Sequence, residues 1–216
     1  MTITADIAAE RAALAASLLA AGASAPTGCG QWTALDLSAH LVAEERLAGL
    51  TTFIARSLVV RGVAVAGPPT LVDNAIRLER RHGFPSLIDR LRLPVPRLLL
   101  RPRVAPLTLF EYWTHHDDLH RTAGTAHAAP ASLGTIIPLL LHHQRKSLPA
   151  AVRVTIATAD GTVRSSTGPR SAPEVTVYGT AENLVRWLAG RPTPGAVTMT
   201  GAGPPVQTLR AFRARV

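Results

Sequence analysis

The spacing of apolar residues changes character at Pro149, and this change constrains the fold more than any other feature of the sequence. Before Pro149, apolar residues recur with the period of an α-helix, and glycines and prolines separate the helical stretches. After it, residues 152–156 alternate between apolar and polar side chains, and the Asp-Gly pair at 160–161 is typical of a β-hairpin turn. This order predicts an α+β chain of two domains, residues 1–149 and residues 150–216.

Local signals predict the individual elements. Thr33 precedes Asp36 by three residues, close to a capping box that would start a helix. Pro138 is expected to bend the helix that contains it. Predicted helices span residues 5–21, 34–57, 70–81, a short stretch within 86–104, 106–124, 132–148, 180–189 and 205–212, and predicted strands lie at 152–157, 175–179 and 197–200.

The net charge of +9 raises the question of nucleic acid as a partner. Lys146 is the only lysine, the arginines are spread along the chain, and aromatic residues make up only 4% of it. So few aromatic side chains do not supply stacking platforms for bases. We therefore expect no nucleic-acid partner, and we expect the positive charge to attract small anionic substrates.

Composition also bears on location. No uninterrupted apolar run reaches the roughly 18 residues that a membrane span requires, and the first ten residues lack the basic start of a secretory signal. Cys29 is the only cysteine, which excludes an internal disulfide and agrees with a reducing compartment. We expect a cytoplasmic protein without a membrane partner, and its oligomeric state is open.

Residues 111–121 contain an unusual number of potential metal-binding side chains, three histidines and three carboxylates. Glu111 and His115 are four residues apart, so their side chains meet on one face of a helix. His40, on the inward face of the predicted helix 34–57, is the candidate third ligand. Two histidines and one carboxylate suit zinc with one coordination position left open, where a bound water or thiol has a lowered pKa.

Each part of this pattern also has a plainer interpretation. A single histidine on an apolar helix face is often an ordinary core residue, and a Glu-x-x-x-His pair is common in helices. Asp118 is either an acceptor that orients a ligand imidazole or a solvated acid. Cys29 has no base close to it in the sequence, so we interpret it as a loop residue. The other candidates are expected to take no part, either because they are exposed or because they have no ligand-like neighbour: His116, Asp117, His120, His142 and His143.

Residues 29–42 resemble the signature of the actinobacterial DinB-like metalloproteins, in the branch of mycothiol-dependent maleylpyruvate isomerase. The family segment Trp-Thr-x-x-Asp-Leu-x-x-His, which supplies the first metal histidine, falls on His40. Residues 179–192 look like the small sterol-carrier-like α/β domain of the same family. A second family segment, Glu-x-x-x-His-x-x-Asp-Leu-x-Arg, falls on Glu111, His115, Asp118, Leu119 and Arg121.

The resemblance implies a DinB-like four-helix bundle that binds a divalent metal, commonly zinc, followed by the small α/β domain. It also implies mycothiol, a low-molecular-weight thiol, as co-substrate. A thiolate can add to an activated double bond and be eliminated after rotation, which isomerises the substrate, or it can displace a leaving group, which is S-transfer. Arg191, in the matching Gly-Arg motif, is the candidate for binding a substrate carboxylate.

Three functions therefore stand side by side. The first is a zinc-dependent, mycothiol-using isomerase or S-transferase that acts on a small anionic electrophile. The second is a metal-binding protein with a binding or regulatory role and no catalysis. The third is a nucleic-acid binder that uses the arginines, which the scarcity of aromatic residues disfavours.

Overall fold

The structure, a computed structural model, describes residues 2–47, 68–193 and 195–212. Along the described chain, a run of helices comes first and all the strands lie in the later part. Within these ranges the chain forms eight α-helices and one four-stranded sheet, which confirms the predicted α+β class. No helix in the same ranges is both long enough and apolar enough to cross a membrane. The elements are α1 (Ile3–Ala21), α2 (Ala34–Leu47), α3 (Pro68–Arg80), α4 (Phe84–Arg92), α5 (Ala105–Thr122), a 3-10 helix (Leu133–Ile136), α6 (Ile137–Gln144), β1 (Arg153–Thr158), β2 (Arg164–Thr167), β3 (Glu174–Gly179), α7 (Ala181–Leu188), β4 (Thr198–Gly201) and α8 (Gly203–Arg210).

Two predicted helices have different limits in the structure. The predicted helix 34–57 corresponds to α2, and residues 48–57 lie outside the described ranges. The predicted helix 132–148 is divided into the 3-10 helix and α6, rather than bent at Pro138. Pro138 stands in the first turn of α6, where a missing backbone N–H leaves no helical hydrogen bond unmade.

The first compact unit, residues 1–128, is helical. Helices α1 and α5 pack side by side, and α2 packs against α3 and α4. Both helices bury large apolar side chains in the core of this unit, among them Ile7, Leu14, Leu18, Leu109 and Trp113.

A buried ionic network joins four helices of this unit. Arg11 of α1 donates two hydrogen bonds of 2.7 Å to the carboxylate of Glu45 on α2, and it also donates to the carbonyl oxygen of Leu91 in α4 at 2.6 Å. The hydroxyl of Tyr112 on α5 donates to Glu45 Oε1 at 2.7 Å. Because α2 and α5 carry the predicted metal ligands, this network fixes the two helices on which the candidate site depends.

The second compact unit, residues 129–216, contains the sheet, with strand order β2-β1-β3-β4. β1 and β3 are parallel, with Val154 opposite Val175, while β2 and β4 pair antiparallel at the two edges. Helix α7 packs on β1 and β3 and buries Leu184 and Leu188. The alternation after Pro149 predicts the strands, but both faces of the central strand β1 are buried, since Thr155 and Ala157 are buried as well as Val154 and Ile156.

The two units divide between residues 128 and 129, earlier than the predicted boundary at 149. The difference arises because the 3-10 helix and α6 pack against α7, and α6 also packs against β2. Gln144 at the end of α6 donates from Nε2 to the carbonyl oxygen of Leu188 at 3.1 Å. A helical sequence pattern placed this segment with the helices, whereas its apolar face is buried by the sheet-containing unit.

Candidate metal centre

Helices α2 and α5 bring together the three residues that the sequence predicts as metal ligands. Glu111 Oε2 lies 3.5 Å from His115 Nε2, one turn further along α5. The same oxygen lies 4.0 Å from His40 Nε2 on α2. One ligand atom from each residue lies within 4.8 Å of the other two. The three donors therefore surround a common space between α2 and α5.

These donors fit a divalent metal ion. Zn²⁺ holds imidazole nitrogen and carboxylate oxygen at about 2.0–2.2 Å in tetrahedral sites, so two of its ligands stand roughly 3.4 Å apart. The separation of 3.5 Å between Glu111 and His115 matches this value, and that of 4.0 Å between Glu111 and His40 is slightly longer. Two imidazoles and one carboxylate are also a donor set that zinc accepts while a fourth position stays open.

A capping box positions His40. Asp36 Oδ2 accepts from the backbone N–H of Thr33 at 3.0 Å, and Thr33 Oγ1 accepts from that of Asp36 at 3.3 Å. This confirms the predicted start of α2 and sets the turn on which His40 stands. The ring of Trp32, just before the cap, lies 4.8 Å from the ring of His40 and 6.5 Å from that of His115. The indole therefore packs beside both imidazoles.

His115 is held between two partners that favour its protonated form. Burial lowers the pKa of His115, but hydrogen bonds with Cys29 and Glu111 and the negative charge of Glu111 outweigh burial and raise it to about 10. At neutral pH the metal-free side chain is therefore an imidazolium. A metal ion would take the place of the proton on Nε2, so metal binding and proton release are coupled.

Cys29 belongs to this site, although the sequence indicates only a loop residue. Its Sγ lies 3.2 Å from His115 Nδ1 and 3.7 Å from Asp118 Oδ2. Gly28 allows the loop to come this close to α5, since a Cβ at that position would stand 2.6 Å from Thr122 Oγ1. The thiol thus lies against an imidazole and a carboxylate that are distant from it in the sequence, so Cys29 is more than a loop residue.

The two aspartates of α5 are both buried, at 1% exposure for Asp117 and 7% for Asp118. The interpretation of Asp118 as a solvated acid is therefore wrong, and its carboxylate reaches His115 through the sulfur of Cys29. Asp117 was predicted to be exposed. It is instead covered by Arg121, whose Nε donates to both carboxylate oxygens at 3.0 and 3.1 Å.

The prediction that His116 is exposed is also wrong, and His120 has imidazole neighbours that its place in the sequence does not show. His116 is 2% exposed, and its Nδ1 lies 2.7 Å from Glu10 Oε1 on α1. His120, one turn later, has its Nε2 3.1 Å from His116 Nε2. His127, which the sequence did not single out, completes this group, and its Nε2 is 2.7 Å from Glu10 Oε1. The spacing of His116 and His120 was the available signal, but Glu10 and His127 are brought in by folding.

The remaining predicted residues lie in the second compact unit. His142 and His143 are exposed on α6. Arg191 follows α7, and its Nη1 donates to the carbonyl oxygen of Ala189 at 3.2 Å. Its role in binding a substrate carboxylate stays a prediction.

Comparison with known proteins adds information on the fold. No protein-family model matches the sequence, and no curated protein does. Two solved structures match: mycothiol-dependent maleylpyruvate isomerase, and a histidine-to-alanine mutant of that enzyme. In each case the identity is 16%, the TM-score is 0.54, and the match covers 95% of this chain and 96% of the other. This likeness extends over both units of the chain and shows that it has the fold of that isomerase.

Proposed function

We propose that this protein is a metal-dependent enzyme that uses a low-molecular-weight thiol, mycothiol. It either isomerises a small anionic electrophile or attaches the thiol to that electrophile with loss of a leaving group. The observation that carries the proposal is the convergence of His40, Glu111 and His115 on one space, with one donor atom of each within 4.8 Å of the others. The fold shared with a mycothiol-dependent isomerase supports the thiol and the reaction class.

The donor set supports zinc as the metal. Three protein ligands leave a position for an exogenous group, as in catalytic zinc sites. A thiol bound to such an ion is deprotonated near neutral pH and becomes a nucleophile.

The chain's own residues would hold and shape this centre. His40 and His115 present their Nε2 atoms and Glu111 presents Oε2. Cys29 accepts from Nδ1–H of His115 and so fixes the orientation of that imidazole. Trp32 covers one side with an apolar surface. The net charge of +9 favours an anionic substrate, and Arg191 remains the candidate for binding its carboxylate.

Metal analysis of the purified protein tests the first step. We expect His40→Ala to contain one equivalent of zinc fewer than the wild type. His142→Ala is the matched control, because His142 is exposed on α6 and should leave the metal content unchanged. Undiminished zinc in His40→Ala would contradict the proposal.

Cobalt substitution tests the use of a thiol. The visible spectrum of the cobalt protein should change when mycothiol is added and should change less with glutathione, because the proposal names mycothiol as co-substrate. His40→Ala should lack the cobalt bands of this centre, so neither thiol should produce the spectral change seen in the wild type. A cobalt spectrum indifferent to both thiols would contradict the enzymatic function while leaving the metal site intact.

A metal-binding protein without catalysis is the second candidate, and Glu44 is the observation in its favour. Glu44 Oε1 lies 3.7 Å from His40 Nε2. If this carboxylate binds the metal, the site has four protein ligands and is closed, as structural zinc sites are. In that case Glu44→Gln would open the site and allow thiols to change the cobalt spectrum, whereas the enzyme predicts a thiol response in the wild type.

A further inference from the structure

A second cluster of imidazoles lies on the face of α5 that packs against α1. His116 and His120 are four residues apart on α5, and His127 follows the helix. Ring centroids of His116 and His127 are 3.9 Å apart, and those of His120 and His127 are 5.1 Å apart with nearly parallel planes. One ring nitrogen from each of the three lies within 4.8 Å of the other two.

The hydrogen bonds of His116 and His120 determine which nitrogen of each ring carries a lone pair. His116 Nδ1 lies 2.7 Å from Glu10 Oε1, which can only accept when ionised. His120 Nδ1 lies 2.7 Å from Thr125 Oγ1, and this hydroxyl donates to the carbonyl oxygen of His120, so it accepts from the ring. Both rings therefore donate through Nδ1. Their Nε2 lone pairs face each other at 3.1 Å.

His127 also donates to Glu10, but through Nε2, which leaves the lone pair of this ring on Nδ1. Its Nε2 lies 2.7 Å from Glu10 Oε1, so that oxygen accepts from two imidazoles. Burial raises the pKa of Glu10, but the hydrogen bonds from His116 and His127 outweigh it and hold the pKa below its ordinary value. Glu10 is thus a carboxylate that accepts from two rings. Imidazoles that bind metals have this arrangement, in which a carboxylate or other acceptor holds the N–H that does not face the ion.

We propose that His116, His120 and His127 bind a second divalent transition-metal ion, of the zinc class, with Glu10 and Thr125 as positioning residues. Two lone pairs at 3.1 Å repel each other unless a cation lies between them. Two imidazole nitrogens on a tetrahedral zinc ion stand roughly 3.3 Å apart, close to that separation. Three imidazoles leave a fourth position for water. Ser17 Oγ lies 2.8 Å from His116 Nε2, so this hydroxyl is the group that a metal ion would displace from that nitrogen.

The two centres use different faces of α5. His115 faces Cys29 and the α2 residue His40, whereas His116 faces α1. No residue is shared between the two ligand sets, so each can be removed without deleting a ligand of the other. A proton shared between His116 and His120 is the competing occupant of the second cluster, and it predicts no metal there.

Cobalt binding in a His40→Ala background isolates the second centre. We expect this variant to bind one equivalent of Co²⁺ with the visible absorption of a nitrogen-ligated tetrahedral ion. His40→Ala/His127→Ala should bind none, and the wild type and the exposed control His142→Ala should each bind two. A His40→Ala protein without bound Co²⁺, or a double variant that still binds it, would overturn the proposal.

A second variant keeps the test independent of ligand deletion. Glu10→Gln retains the size of the side chain but removes the charge that holds two of the rings, and we expect Co²⁺ affinity at the second centre to fall about 10- to 100-fold. Affinity is measured in the His40→Ala background by competition with a chromophoric chelator, and circular dichroism verifies that the helices are intact. Unchanged affinity in a folded Glu10→Gln protein would contradict the positioning role and with it the proposed ligand arrangement.

Discussion

His115 is a buried histidine of the candidate metal centre whose partners favour its charged form. Its ordinary pKa of 6.5 is raised to about 10 in the folded protein by Cys29 and Glu111, against the effect of burial. A raised pKa means that the folded state binds the proton more tightly than the unfolded state does. The stability from this proton is complete below pH 6.5 and is lost as the pH rises towards 10.

We therefore expect the metal-free protein to become less stable between pH 6.5 and pH 10. Thermal unfolding in the presence of EDTA measures the change. His115→Gln is the comparison, because a neutral side chain has no proton to lose and its melting temperature should fall less over the same interval. An equal fall in both proteins would contradict the assignment to His115.

Cys29 should act on metal affinity through His115. Cys29→Ala removes the acceptor from His115 Nδ1, and loss of such a partner weakens metal binding about 10- to 100-fold. Cys29→Ser keeps an acceptor at this position and should recover most of the affinity. Competition with a chromophoric chelator measures both, and equal affinities for the Ala and Ser variants would show that the contact has no orienting role.

The candidate ligand residues could be predicted from the sequence because their spacing or the face of the helix that carries them follows from local patterns. Glu111 and His115 are four residues apart, and the Thr33–Asp36 box marks the helix that carries His40. The sequence does not indicate a role for Cys29, because the imidazole that its sulfur contacts lies 86 residues away in the chain. The sequence pattern predicts an exposed His116, because its acceptor Glu10 is 106 residues away and gives no local signal of burial. Tertiary packing brings such pairs together, and no local sequence pattern predicts them.

At the scale of elements, the loop before α2 depends on Gly28. Its φ of +75° is unfavourable for other residues, and a Cβ there would meet Thr122 Oγ1 at 2.6 Å and the carbonyl oxygen of Asp118 at 3.1 Å. Gly28→Ala should therefore push the loop and Cys29 away from α5. We expect a loss of about 2–4 kcal/mol in the free energy of unfolding, from the φ penalty and the clash together, and a weaker metal site.

Gly30→Ala is the matched control for Gly28→Ala. Gly30 has a φ of +60°, but a Cβ there would meet nothing within 4 Å. This variant should show only the conformational penalty of about 1–2 kcal/mol. Urea unfolding measures both variants, and a loss in Gly28→Ala no larger than in Gly30→Ala would contradict the role of close approach.

The limits of helices could be predicted where capping residues, glycine or proline set them locally. They were harder to predict where tertiary packing sets them. Gly22 ends α1 close to the predicted position, and Thr180 caps α7 through the N–H of Asn183. The limits of the 3-10 helix and α6 depend instead on Pro138 and on the apolar surface that covers them. Periodicity showed that this segment is helical but not which unit buries it.

On the scale of the whole molecule, the order of helices and strands was enough to predict an α+β chain. The sheet order β2-β1-β3-β4, with a parallel central pair, was not specified, because alternation indicates a strand without naming its neighbour. The division at 128 depends on which unit covers α6, and that is a property of the assembled core. Composition gives the net charge of the molecule but not the surface on which that charge would attract a ligand.

The helical unit as a whole depends on the buried network of Arg11, Glu45 and Tyr112. Arg11 is 3% exposed and joins α1 to α2 and to the end of α4. Arg11→Ala would leave the Glu45 carboxylate buried without its cation, which typically destabilises a protein by about 3–5 kcal/mol. Arg92→Ala is the control, because Arg92 and Asp89 form an exposed pair at 3.8 Å whose loss should cost less than about 1 kcal/mol.

A second substitution separates the buried charge from the lost packing of the arginine. In Arg11→Ala/Glu45→Gln the uncompensated carboxylate is gone, so part of the stability lost in Arg11→Ala should return, although the hydrogen bonds to α4 stay absent. Urea unfolding of the metal-free proteins measures this recovery. If the double variant is less stable than Arg11→Ala, the network stabilises the unit through contacts of Glu45 other than charge pairing. Recovery would show that the unpaired Glu45 carboxylate accounts for part of the loss, and hence that the charge pair between α1 and α2 stabilises the helical unit.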